Sequence, residues 1–273
     1  MSVVMEFKGR HVVVTGGGSG IGAALVERFA REAPRGIVVV DNDSSRAKAV
    51  AARVGGLPIR ADVGYESEIL RVVSVAESHF GPVDAYVSNA GAVRPVGGPE
   101  IGDAGWQRHW DVHVMSHVWA TRALLPDMLE RNEGYLVNTA SAAGLLMSPG
   151  AVAYTATKHA AVALAESFAV MYGHTGVRFS CVCPALVDTP MVTDVAEEAA
   201  GRAARIASRE MDVATVADLV LDGLRAERFM ILTHPEETAA VMRLRATDPD
   251  GYVASMRDIW HAATRGWVPS VTQ

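Results

Sequence analysis

Lysine is nearly missing from this chain. Only Lys8, Lys48 and Lys158 occur among the 25 basic residues. Cysteine is rarer still, with Cys181 and Cys183 alone in the apolar run 177–187. Read as strand residues pointing to opposite faces, the two are poorly placed for a mutual disulfide, and Cys-x-Cys alone is a weak metal site. Buried, reduced thiols are expected, with no metal site. No basic cluster is present: between Arg225 and Arg265, six arginines face six acidic residues. With a net charge of −6, non-specific binding to nucleic acid is disfavoured. No long hydrophobic run occurs either. The uncharged stretch 135–157 is broken by Asn138, Ser141, Gly144, Ser148, Pro149 and Gly150, which excludes a membrane span. Residues 1–10 lack the long apolar region of a secretion signal, so a cytoplasmic protein is expected.

What the chain has is an ordinary globular composition, 49 % hydrophobic and 21 % charged over 273 residues. That length suits one large α/β domain with a well-buried core. No internal repeat, low-complexity tract or linker divides it, so residues 1–273 are expected to form a single domain.

The first motif sits near the start. Residues 11–15 form a short β-branched run that predicts a buried strand. Gly16-Gly-Gly18-Ser19-Gly20-Ile21-Gly22 follows, then a helical pattern over 23–31. Strand, glycine turn and helix together mark a phosphate cradle: glycines admit the pyrophosphate, and the helix N-terminus offers free amides and a positive dipole end. The next strand, 37–40, ends in Asp41, 19 positions beyond Gly22. A carboxylate there suits an adenosine ribose and repels a 2′-phosphate, which favours NAD over NADP. Arg46 is near enough in sequence to reach a 2′-phosphate and is the counter-candidate.

The second motif is Tyr154-x-x-x-Lys158 in an Ala-rich run that favours helix. Four-residue spacing stacks both side chains on one helix face. An ammonium beside a phenol is expected to lower the tyrosine pKa from about 10. Such a tyrosine can exchange a proton with an alcohol or ketone. Ser141, in the loop before the helix, is placed to hydrogen-bond the same substrate oxygen.

Between the motifs, strands and helices alternate: a helix at 45–53, a strand at 58–61, Asp62-Val63, a helix at 66–80, a strand at 85–88, and Asn89-Ala90-Gly91. Alternation of this kind predicts a doubly wound parallel sheet with helices on both faces and ligands beyond the carboxyl ends of the strands. Asp62 and residues 89–91 fall at those ends. A long helix is expected over 106–131, bent at Pro126, and strands at 135–139, 177–182 and 229–233 bring the total to about seven. The stretch 184–212 reads as irregular, suited to a substrate lid. A helix at 213–224 and a two-helix tail over 235–267, divided near Pro249, complete the chain.

Thr15-Gly16-x-x-x-Gly20-x-Gly22, Asp62-Val63, Asn89-Ala-Gly91, Ser141 and Tyr154-x-x-x-Lys158 occur in an order and spacing that resemble the short-chain dehydrogenase/reductase family over residues 8–233. The resemblance implies a Rossmann-like sheet, a nicotinamide cofactor and hydride transfer at a carbon bearing oxygen. Residues 8–140 would then serve mainly the cofactor, 141–233 catalysis and substrate, and 234–273 would form a helical extension. It also implies a cofactor contact set: Thr15, Gly16, Gly18, Ser19, Gly20, Ile21, Gly22, Asp41, Asp62, Val63, Asn89, Ala90, Gly91, Tyr154, Lys158, Pro184, Val187 and Thr189. In that family pattern Tyr154 is the acid/base, Lys158 binds the nicotinamide ribose and depresses the tyrosine pKa, Ser141 orients the substrate oxygen, and Thr189 meets the nicotinamide amide.

Two positions depart from the pattern. Asp111-Val112 is followed by His113 where the family carries an asparagine that holds a relay water behind the lysine; histidine could take that role or merely fill the space. Pro184-Ala185 replaces Pro-Gly. Leu145, Leu146, Met147, Leu186, Met191 and Val192 flank the catalytic segments and suggest an apolar secondary alcohol or ketone as substrate. A catalytically silent dinucleotide-binding protein, or an enoyl reductase or epimerase on the same fold, are the alternatives. Association into dimers or tetramers through the long and catalytic helices is also implied, with Trp119, Phe168 and Met171 as candidate contacts.

Overall fold

A computed structural model describes residues 6–265. Seven strands form one parallel sheet: β1 His11–Thr15, β2 Gly36–Asp41, β3 Leu57–Arg60, β4 Ala85–Ser88, β5 Gly134–Thr139, β6 Val177–Cys183 and β7 Met230–Leu232. Their order is β3-β2-β1-β4-β5-β6-β7, as in a doubly wound Rossmann-like sheet. β1 pairs β2 from His11 with Gly36 to Thr15 with Val40, and β4 on its other side from Val12 with Ala85. The chain reverses its winding between β1 and β4, and a ligand crevice belongs at that point.

Both sheet faces are buried, so the strands read as continuous apolar runs instead of alternating ones. Val12, Val14, Ile37, Val39 and Val87 pack under α1 Gly20–Ala30 with Leu25, Val26 and Phe29. α2 Ser44–Val54 covers the same face with Ala47, Val50 and Ala51. Val13, Val38, Val40, Tyr86 and Leu136 point the other way, onto Ile69 and Val72 of α3 Glu66–Phe80. The period of two along each strand thus divides one apolar run between two cores.

The long helix expected over 106–131 is three pieces: α4 Asp103–Trp110, a π-helical turn Asp111–Met115, and α5 Ser116–Glu130. α5 runs on through Pro126. The irregularity lies instead at the π turn, which carries His113 and widens the helix where it meets the catalytic helix α6 Val152–Tyr172. The segment 184–212 is also more regular than its composition suggested. It holds α7 Pro190–Asp194 and α8 Ala199–Ala207, and a bridge between Val187 and Met211 ties its ends together. α9 Val213–Arg225, α10 Pro235–Thr247 and α11 Pro249–Thr264 follow, with the expected break at Pro249. Trp267, at the end of the expected tail, lies outside the described residues. No helix among the described residues is long and apolar enough to cross a membrane.

Trp119 and Phe168 pack against the core under α3 and α5, whereas Met171 and its neighbour Val170 are exposed. Of the three candidate contacts between copies, only Met171 is free of core duty.

Candidate active site

The ends of β1 and β4 meet at the crevice floor. Thr15, buried, donates its hydroxyl to the Val87 carbonyl (3.3 Å) and accepts from the amides of Asn89 (2.9 Å) and Ala90 (3.1 Å). The Asn89 side-chain amide donates to the Thr15 carbonyl at 3.0 Å. Gly16 follows with φ of 63°, a left-handed conformation that disfavours a side chain, and a β-carbon there would press on the backbone of Ala90. At Gly22 a β-carbon would collide with the Gly16 carbonyl. Ser19 caps α1 without any side-chain bond to the helix amides, which leaves the first-turn N–H groups of this terminus open toward the cleft.

A cleft of about 450 Å³ runs from this turn to the catalytic helix. Of the expected cofactor contacts, all but Thr15 and Gly18 line it. Those two stand one layer back. Thr15 pins the 89–90 backbone, and the Gly18 amide donates to Asp41 Oδ2 at 2.9 Å. Asp41 also accepts from the Asp43 amide through Oδ1 at 3.0 Å, so its carboxylate is held in one orientation at the β2 end. Arg46, at the same end, pairs with Asp43 at 3.4 Å. Arg108 was not foreseen: it reaches from α4 to Asp62 Oδ1 at 2.9 Å and lines the cleft beside it. Forty-six positions separate the two, and nothing local in either segment signals the pairing.

At the other end Ser141, Tyr154 and Lys158 come together on one cleft. Ser141 ends the turn after β5, accepting from the Ala143 amide at 3.1 Å and donating to the Pro184 carbonyl at 3.4 Å. Lys158 Nζ, buried, donates to the Thr139 carbonyl at 2.9 Å and lies 5.7 Å from the Tyr154 ring centre. Tyr and Lys therefore share a helix face as their spacing predicts, but the electrostatics differ from the expected sign. Burial raises the Tyr154 phenol above its ordinary value, and the nearby Ser141 hydroxyl offsets only part of that. Burial also brings Lys158 down to about 8, which weakens it as a fixed positive charge. Thr189 caps α7 and packs on Gly20, closing the cleft's edge.

His113 sits beside the tyrosine and does not line the cleft; the ring centres are 5.3 Å apart and nearly perpendicular. Its Nε2 accepts from the Ala92 amide at 3.1 Å, which places the proton on Nδ1, facing Thr157 Oγ1 at 2.9 Å. Thr157 in turn donates to the Ala153 carbonyl at 2.8 Å. Both ring nitrogens thus have protein partners, and neither is free to hold a water. Burial, then the charge of Lys158, pushes the His113 pKa well down, so the ring is neutral. His109 and His117, one turn to either side, are buried and lowered as well.

The cysteines correct the sequence-based expectation. Residues two apart on a strand share a face, and the thiols of Cys181 and Cys183 lie 3.8 Å apart in one apolar cluster with Ala140, Ala161 and Val162. Both are buried and unoxidised. Of the six apolar residues expected around a substrate, Met191 and Val192 line the cleft. Leu186 is buried, Leu145 packs on the cysteine cluster, Met147 faces a different cavity, and half-buried Leu146 lines neither.

The open helix terminus, the glycine cradle that a β-carbon would fill and the oriented Asp41 fit a dinucleotide. Comparison with known proteins agrees. A family model described as short chain dehydrogenase matches residues 10–200. A 1-deoxy-11-beta-hydroxypentalenate dehydrogenase from Streptomyces exfoliatus is 36 % identical over 250 residues, covering 88 % of each chain. A 3beta-hydroxysteroid dehydrogenase 2 from Eggerthella lenta is 34 % identical, covering 66 % of this chain and 72 % of its own. Among solved structures, a short chain dehydrogenase/reductase from Burkholderia phymatum in complex with NAD superposes with a TM-score of 0.80 at 31 % identity, covering 90 % of this chain and 96 % of its own.

Proposed function

The chain belongs to the short-chain dehydrogenase family, a family of nicotinamide-dependent oxidoreductases, and we propose that it moves a hydride between NAD(H) and an apolar secondary alcohol or ketone. The observation that carries this proposal is the convergence of Ser141, Tyr154 and Lys158 on the cleft that begins at the glycine turn. The NAD complex of the Burkholderia relative supports the choice of cofactor, and two relatives' names specify a hydroxyl-bearing substrate.

When bound, a nicotinamide dinucleotide takes or gives the hydride at the substrate's carbinol carbon. The α1 amides and the glycine turn would hold its pyrophosphate, Asp41 its adenosine ribose, and residues 62–63 and 89–91 the walls around it. Lys158 directs an N–H to the Thr139 carbonyl and keeps two more for the ribose hydroxyls next to the nicotinamide. Ser141 would exchange its bond to the Pro184 carbonyl for one to the substrate oxygen. Tyr154 then takes the alcohol's proton in oxidation or returns it in reduction. A phenol raised by burial carries its proton at neutral pH, the form that ketone reduction requires. Oxidation should quicken as the pH rises toward the phenol's pKa, because only the phenolate accepts the proton.

A panel of alcohols and ketones with NAD(H) and NADP(H), followed at the absorbance of the reduced nicotinamide, tests the proposal. Turnover with NAD(H) and apolar secondary substrates is expected. Cofactor binding without turnover of any alcohol or ketone would instead favour a silent dinucleotide-binding protein.

A further inference from the structure

Beyond residue 200, where the family match ends, the chain turns back onto the catalytic segment. Arg245 of α10 donates to the Leu145 carbonyl, between Ser141 and Tyr154, and Arg202 of α8 donates to the Ala263 carbonyl of α11 at 2.8 Å. Trp260 of α11 lies on Gly150, where φ is 78° and any β-carbon would collide with the indole. Gly150 is itself fixed to the loop after β4: its carbonyl accepts from the Gly97 amide at 2.8 Å, and Val152 donates to the Gly97 carbonyl at 3.1 Å.

Between α11, the 147–152 segment and the loop at Gly97 lies a second cavity, of about 970 Å³. Met147, Val152, Val253, Met256 and Trp260 gather on its walls, and Glu100, Glu197, Glu198 and Arg257 line it as well. Met147, Val152 and Val253 are 38 %, 45 % and 52 % exposed, unusual for large apolar side chains gathered on one concavity. A volume of this order with a mainly apolar lining is what small hydrophobic molecules occupy.

Three chain segments serve both the catalytic cleft and this cavity. Val93 and Arg94 line the cleft, and Val96 and Gly97 the cavity; Tyr154 lines the cleft, and Val152 the cavity; Asp194 lines the cleft, and Glu197 the cavity. Arg94, which lines the cleft, pairs with Glu198, which lines the cavity, at 2.6 Å, so one ion pair links the two linings.

We propose that the α11 cavity is an outer subsite that takes the apolar body of a large secondary alcohol or ketone, with Val253, Met256 and Trp260 setting preference for substrate size. This rests on the reading of the cleft as a dehydrogenase site. Short substrates are held by the cleft alone; long ones gain from the cavity in proportion to the apolar surface they bury.

The test uses the full chain with secondary alkanols of four to twelve carbons, in wild type and in Val253→Glu and Met256→Glu. Neither residue lines the catalytic cleft, and Val253 is exposed enough to tolerate the change. In wild type, kcat/KM should climb with chain length by up to about fourfold per methylene, the fully buried limit. In the variants the climb should stop early, leaving the longest substrate at least roughly tenfold below wild type and the shortest within about twofold, since only buried methylenes are affected. Equal chain-length dependence in wild type and variants would overturn the subsite. So would an altered oligomeric mass in Val253→Glu with unchanged dependence, which would assign the face to a second copy of the chain. Binding of the twelve-carbon methyl ketone is followed in parallel by tryptophan fluorescence, with Trp260→Phe as control. Binding that Val253→Glu abolishes, without any turnover, would support the cavity while removing the dehydrogenase reading. Turnover of short alcohols without such binding would remove the cavity alone.

Discussion

Acidification should destabilise this protein well before its carboxylates titrate, because His113 and His117 are buried as neutral rings. His117 is pushed down to about 3 by burial and by Lys158, and His113 well below its ordinary value by the same two causes, with His109 and His117 adding to the second. In the unfolded chain each would titrate near 6.5. The native state therefore stays unprotonated while the unfolded state takes up protons. Stability is full above about 6.5 and falls as pH drops below it, by about 1.4 kcal/mol per unit for each ring, until the folded pKa is reached. One unit below 6.5 the two rings together remove roughly 3 kcal/mol, a large part of an ordinary domain's margin. His11 and His109, also lowered by burial, act in the same direction. The lowered carboxylates, Glu32 among them, start from 4.5 or below and act only in more acid solution, whereas the window of Lys158 lies above about 8. Urea unfolding followed by circular dichroism at about pH 7.5, 6.5 and 5.5 measures the loss. His117 is the clean perturbation, since neither of its ring nitrogens has a protein partner to lose. His117→Leu should keep or raise stability at pH 7.5 and remove about 1.4 kcal/mol of the drop to pH 5.5. An unchanged drop in that variant, or a flat profile in wild type, would refute the account.

Three further outcomes are expected. NAD(H) should bind at least about tenfold more tightly than NADP(H), about 1.4 kcal/mol, because Asp41 is held with its carboxylate at the β2 end. Titration with both cofactors decides this, and equal affinities would promote Arg46 to a phosphate ligand. His113→Leu would strip a partner from the Ala92 amide and from Thr157, a loss of about 1–3 kcal/mol at a wall of the catalytic helix. It should slow turnover and lower Tm, while His113→Asn keeps much of both; pH–rate profiles that leave the leucine variant fully active would make this histidine mere packing. Association into dimers or larger assemblies should appear in light scattering at micromolar concentration, with exposed Met171 and Val170 as candidate contacts, and a monomer would contradict it.

Much of the fold was written in local patterns. A short run of β-branched valines closed by a glycine turn reads as a strand buried on both faces, and β1 and α1 agree with that reading. Tyr154 and Lys158 share a face because four residues make about one helical turn. What local pattern could not carry was partnership across the chain. Arg108 reaches Asp62, Lys158 finds the Thr139 carbonyl, and Trp260 covers Gly150, each through tertiary packing that no spacing encodes. The pKa of Tyr154 went the same way: the neighbouring lysine was legible, but the depth of burial that raises the phenol was not. The π turn at His113 was hidden because its sequence is an acceptable α-helix, and only its packing against α6 distinguishes it. Cys181 and Cys183 needed no structure at all: strand periodicity already puts residues two apart on the same face.

Replacing Tyr154 by phenylalanine tests the central claim most directly, because it removes one hydroxyl and leaves the ring, the helix and Lys158 in place. Single-turnover and steady-state assays with an active alcohol or ketone should show a loss of roughly a hundredfold to ten-thousandfold, with NAD(H) affinity nearly unchanged, as expected for an acid/base that acts only in the chemical step. Turnover near the wild-type rate in Tyr154→Phe would contradict the account.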